Sequence, residues 1–225
     1  MTQHSYISTT EYFHAEGKDN LRNCMRIAFE AAVERQIDTI VIFTGIGEGP
    51  EIAIKEFWPL TGFRDVKLIA VTFPYGKRFK GDSEVNISSQ IRDLLEANKV
   101  PLIRAHLPFD PITAHYRDHG ILGQDLTLIG NALSIFGGSM SLCVQAALMA
   151  CDAGCLETGD HVIAMTSDTA IIVRTAPTDR FLTDFVVREV LCKPLFLTIG
   201  KGEGASNEEP LTIEAEPVSQ LLPPE

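Results

Sequence analysis

Thr39-Ile-Val-Ile-Phe-Thr-Gly-Ile-Gly-Glu-Gly-Pro50 decides how this 225-residue chain is read. Its first five residues form an unbroken apolar run rich in β-branched side chains. Such a run predicts a strand covered on both faces. Thr44-Gly-Ile-Gly-Glu-Gly49 follows as a glycine turn, and Pro50 suits the first turn of a helix expected over about 51–58. Just upstream, Leu21, Cys24, Met25, Ala28 and Ala32 recur at helical spacing, with Arg22, Arg26 and Arg35 off that face. This predicts a helix over 20–36, with Asp19 as its N-cap.

The alternation continues downstream. Strands are expected at 67–73 and 101–105, separated by a helix over about 88–98 capped by Ser88. After an irregular stretch at 106–123, helices are expected over about 124–136 and 139–153. Ser139 caps the second, and Gly154 stops it. Apolar runs at 161–165, 169–173 and 189–197 read as closing strands, and a short strand near 5–9 joins them. Strand and helix in alternation predict one α/β domain over residues 1–200. It should contain a mostly parallel sheet, helices on both faces and an antiparallel edge near the C-terminus. Residues 201–225 carry six acids against Lys201 and read as an acidic, poorly ordered tail.

The formal net charge is -11, and the tail accounts for -5 of it. That balance repels phosphate backbones and anionic lipid, which argues against nucleic acid and membrane as partners. The apolar stretch 133–156 is broken by Gly137-Gly138, Gln145 and Asp152, so it reads as two buried helices and not a membrane span. Five cysteines, an odd number with no CxxC pair, sit mostly in apolar segments. With no signal-like N-terminus, they predict a reduced, cytoplasmic protein.

Ligands of open α/β sheets bind beyond the carboxyl ends of the strands, and three loops are expected there. In the first, Thr44, Gly45, Gly47 and Gly49 combine backbone N–H groups with a helix start. The GxGxG spacing matches neither the dinucleotide fingerprint nor the Walker loop, and a plain tight turn accounts for it equally. In the second, Thr72, Tyr75, Gly76, Lys77 and Arg78 place cations and an aromatic ring after a strand, unless the loop is simply solvated. In the third, Ser167, Asp168 and Thr169 are polar enough to touch a ligand and are also ordinary turn formers. His115 and His119 lie one helical turn apart beside Asp118, but no Glu follows the first His, and no metal site is expected. Cys151 and Cys155 read as packing residues, and no GxSxG elbow surrounds Ser139 or Ser141.

The collinear order of several motifs resembles the C-terminal α/β domain of pyruvate kinase, above all stand-alone, archaeal-type proteins made of little else. The motifs are 20–44, the 44–49 turn, Cys143-Val-Gln-Ala-Ala-Leu-Met-Ala-Cys-Asp-Ala-Gly154, Asp168-Thr-Ala-Ile-Ile-Val-Arg174 and Glu189-Val-Leu-Cys-Lys-Pro194. The likeness spans roughly residues 5–197. Thr44 and Gly47 keep the pattern of a phosphate-holding loop, while Gly49 stands where that loop has a hydroxyl residue. The loop before Asp168 is shortened to Thr166-Ser167. The resemblance implies a small-molecule-binding domain for flavin mononucleotide (FMN) or another phosphorylated ligand, without pyruvate kinase activity, and a homo-oligomer. Two alternatives stand beside it. One is a flavin- or nucleotide-dependent enzyme with Tyr75, Asp168, His106, His115 or His119 in the pocket. The other is an oligomeric partner-binding or regulatory module.

Overall fold

The computed structural model describes residues 6–77, 86–109 and 125–195. Seven strands form one sheet: β1 (Glu11–Phe13), β2 (Thr39–Phe43), β3 (Lys67–Thr72), β4 (Leu102–Arg104), β5 (His161–Met165), β6 (Ala170–Arg174) and β7 (Val186–Pro194). Their spatial order is β1-β7-β6-β5-β2-β3-β4. Every pairing is parallel except those that β6 makes with β5 and β7. The protein is therefore mixed α/β, with a mostly parallel sheet.

The antiparallel strand is not at an edge, contrary to expectation. β6 lies third from one side, because the chain's first strand adds outside β7 in parallel. That strand occupies 11–13, not 5–9. Local pattern cannot say which edge a short N-terminal strand will cover.

Helix α1 (Leu21–Arg35) follows a 3₁₀ turn at Lys18–Asn20. Asp19 therefore lies inside that turn and is not the N-cap. Helix α2 (Glu48–Ile52) begins three residues earlier than expected and runs into a π-helical turn, Ala53–Phe57. Helix α3 (Ser89–Ala97) starts as predicted, with Ser88 Oγ accepting from the Ile91 N–H at 3.3 Å. Helices α4 (Asp125–Ser134) and α5 (Met140–Asp152) follow, and a short α6 (Phe181–Asp184) precedes β7. Gly154, at φ 72, ends α5 by letting the Cys155 N–H reach back to Ala150 O at 3.0 Å. The acidic tail at 201–225 lies outside the described residues.

Period-two alternation splits the apolar strands between two cores. Ile40, Ile42, Ile163, Met165 and Ile172 face α1, α2 and α3, where Met25, Ala28, Phe29 and Phe57 meet them. Val41, Phe43, Val71, Ala164, Ile171 and Val173 face α5 on the opposite side. Helix α5 is buried on nearly all sides, which explains why its sequence is apolar all round and lacks a single stripe. Among the described residues, no helix is long and apolar enough to cross a membrane.

Candidate functional site

The strand order fixes where a ligand hollow belongs. From β2 the chain steps to β3 and β4 on one side, then returns to place β5 on the other side of β2. The gap beyond the carboxyl ends of β2 and β5 is thus the topological switch point, where such sheets leave a crevice. A hollow of about 290 Å³ opens there. Thr44, Gly45, Ile46, Glu48 and Gly49 come to it from β2 and α2, and Thr166 and Ser167 from β5. Ser139 and Leu142 come from the start of α5, Lys18 and Leu21 from the start of α1, and Phe43 and Phe73 from the sheet.

The first loop is built from its own hydrogen bonds. The Thr44 N–H donates to Val71 O at 2.9 Å, and Thr44 Oγ1 accepts from the Gly47 N–H at 2.9 Å. Gly47 sits at φ 94, and a Cβ there would lie 2.7 Å from Ile91 Cγ2 on α3. Gly49 is glycine for packing: a Cβ would meet Ile42 Cγ2 at 2.9 Å. Thr72 Oγ1 donates to Gly45 O at 3.4 Å, and the Phe43 and Phe73 rings meet edge-on at 4.9 Å. The first two loops therefore share one edge of the sheet. Tyr75, Gly76 and Lys77 nevertheless stand outside the wall of the hollow, with Tyr75 largely exposed and Gly76 in a turn closed by Lys77 N–H to Pro74 O. Arg78 lies outside the described residues, as do His115 and His119.

The third loop is a two-residue hairpin closed by Thr166 N–H to Thr169 O at 2.9 Å. Only Thr166 and Ser167 reach the hollow. Asp168 and Thr169 are buried and engaged within the protein. Asp168 Oδ2 accepts from the Gly17 N–H at 2.9 Å, and Oδ1 accepts from the Thr169 hydroxyl at 3.0 Å. Thr169 Oγ1 in turn accepts from the Ser139 N–H at 3.0 Å, which ties the hairpin to the start of α5. Ser139 occupies the N-cap position, yet its hydroxyl makes no cap bond, contrary to the predicted capping role, and it lines the hollow.

Sequence reasoning missed Lys18, Leu21, Phe43, Phe73, Ser139 and Leu142 as wall residues. Ser139 carried a faint signal, being polar before a long apolar helix. Lys18 carried none, because its approach depends on where α1 packs. Lys18 and Glu48 are the charged groups among the described wall residues. Glu48 lies in the first turn of α2 and offsets the positive end of that short helix, so an anion is favoured on the Lys18 and α5 side.

A larger hollow, about 820 Å³, lies at the amino ends of β2, β3 and β5. Lys67 and Asp38 neutralise one another there at 2.8 Å, and the Arg64 guanidinium is occupied over the Trp58 ring at 4.8 Å. It also faces the C-terminal ends of α3 and α5, which repel anions. Size alone therefore does not decide the site. Among the described residues, no group of three or more His, Cys, Asp or Glu side chains is placed to hold a metal ion. No family model matches the chain.

Proposed function

We propose that this chain is a small-molecule-binding module. Its ligand is phosphorylated, FMN or a related phosphate ester, and sits in the hollow between β2 and β5. The single observation that carries the proposal is the convergence of the Thr44–Gly47 turn, the start of α5 and Lys18 at the switch point. A helix start and a lysine both favour an anion. At about 290 Å³ the hollow is at the lower end of small-molecule clefts. It suits a phosphate and the carbons next to it, with a flavin ring resting at the mouth.

The same reading keeps the proposed kinship with the pyruvate kinase C-terminal domain, without that enzyme's chemistry. It also keeps a cytoplasmic homo-oligomer as the working form. Support for the kinship is the mostly parallel sheet and the glycine turn that follows its second strand.

Thermal melts and calorimetry with FMN, sugar phosphates and inorganic phosphate test the proposal. A ligand at 100 times its Kd stabilises by about 2.7 kcal/mol, roughly 5–11 °C for a chain of this size. Lys18→Ala should weaken binding at least several-fold while leaving the unliganded melt unchanged. If none of these compounds shifts the melt at millimolar concentration, the proposed ligand class is wrong. Light scattering that finds a monomer at every concentration would remove the oligomer.

A further inference from the structure

The two thiols of Cys24 and Cys192 meet inside the protein, with their sulfurs 3.5 Å apart. Both residues are fully buried and both are free. Cys24 lies in the first turn of α1, and Cys192 lies on β7 opposite Ala170 of β6 and Glu11 of β1. We infer that this pair is a dithiol that closes to an intramolecular disulfide beneath the candidate site. The inference does not rest on the proposed ligand.

Closing the bond requires the sulfurs to approach from 3.5 Å to about 2.05 Å. The oxidant is a peroxide, small enough to enter through a local opening. One thiol loses its proton, and the thiolate attacks hydrogen peroxide and breaks the O–O bond, becoming a sulfenic acid; the hydroxide that leaves takes up that proton as water. The second thiol then displaces hydroxyl from that sulfur, forming the S–S bond and a second water. Overall, two thiols and one peroxide give one disulfide and two waters.

Burial pushes the Cys24 thiol well above its ordinary value and does the same to Cys143 nearby. The folded pair therefore reacts slowly, and the rate follows opening of its cover. That cover is weak on one side: β1 is only three residues long and pairs with 192–194 at the edge of the sheet. The sulfur that meets Cys24 is that of Cys192, whereas the Cys143 thiol donates to Thr169 O at 3.4 Å.

The position matters for the hollow. Leu21 lines it and lies one helical turn before Cys24 on the same face of α1. Ala170, opposite Cys192, directly follows the Asp168–Thr169 hairpin, which Gly17 ties to the approach of α1. A bond between α1 and β7 therefore fixes α1, which directly follows the turn holding Lys18, against the strand that pairs with β6, the strand leading out of the hairpin. It would also close a loop across 168 positions, which strongly restricts the unfolded chain.

The test uses the full chain, treated with hydrogen peroxide, alkylated and digested with trypsin without reduction. The expected product joins the peptide 23–26 to the peptide 189–201, and its parent protein is lighter by two hydrogens. Formation should be slower than oxidation at Cys155, the melting temperature should rise by several degrees, and dithiothreitol should reverse both changes. Cys143→Ser should retain the cross-link, and Cys192→Ser should abolish it. A melt of each variant under reducing conditions separates misfolding from loss of the bond. Recovery of Cys24 and Cys192 as alkylated thiols after unfolding would overturn the inference, as would a cross-link through Cys143, Cys151 or Cys155.

Discussion

Replacing Asp168 by Ala should destabilise the fold by about 2–4 kcal/mol, although the sequence presents the residue as an ordinary turn former. The carboxylate is buried and accepts from the Gly17 N–H at 2.9 Å, the Thr169 hydroxyl at 3.0 Å and the Thr166 hydroxyl at 3.4 Å. Bonds to a charged acceptor contribute about 1.5–3 kcal/mol each, but the threonine hydroxyls can turn to other acceptors. The half-buried Gly17 N–H is fixed in the backbone and loses its carboxylate acceptor. Relief of the buried charge offsets part of the loss. At about 2–4 °C per kcal/mol, the melting temperature should fall by roughly 4–16 °C. Asp168→Asn should fall in between, since one oxygen can still accept from Gly17. Urea unfolding followed by circular dichroism measures the difference directly. An Ala variant within about 0.5 kcal/mol of the parent, the range of an ordinary surface change, would refute the structural role assigned to this carboxylate.

Three further outcomes are expected. Gly138→Ala should cost roughly 2–5 kcal/mol, read as lost soluble yield or a sharply lower melt. At φ 57 its new Cβ would lie 2.6 Å from Pro194 Cδ and closer still to Thr169 Oγ1. Gln36→Gly should stabilise by about 0.5–1 kcal/mol in urea titrations, because Gln36 ends α1 in the left-handed region at φ 56. Asp38→Asn should cost under about 1 kcal/mol near neutral pH, since its pair with Lys67 is exposed. The hydrogen bond from Lys67 holds the Asp38 carboxyl below the usual carboxylate range. A folded value below the unfolded one stabilises above the unfolded pKa. The contribution is lost as pH falls through the folded value. The stability gap between parent and variant should therefore close in acid titrations below about pH 4.

Much of the fold was legible along the chain. The run Thr39–Phe43, the helix from Leu21 and the Ser88 cap appear where local periodicity and capping chemistry put them. The site was legible in part. Thr44, Gly45, Gly49 and Ser167 line the hollow, whereas Gly47 and Thr72 support the turn from behind its wall, Tyr75, Gly76 and Lys77 stand outside it, and Asp168 and Thr169 hold the hairpin from within. A polar turn reads the same whether its side chains meet a ligand or one another. Only the packing of Gly17 and Ser139 against that turn distinguishes the two.

The sequence by itself determined the alternation of strand and helix, the two-sided burial of the sheet and the glycine turn after β2. Each follows from periodicity and backbone conformation over a few neighbouring residues. The tertiary structure alone decided that β6 runs antiparallel inside the sheet, that β5 lies beside β2 to make the switch point, and that Lys18 and Ser139 share its hollow. It also brought Cys24 and Cys192 together across 168 positions. The physical reason is that strand order and helix docking are settled by contacts between segments far apart in the chain, and no local pattern encodes which of those contacts form.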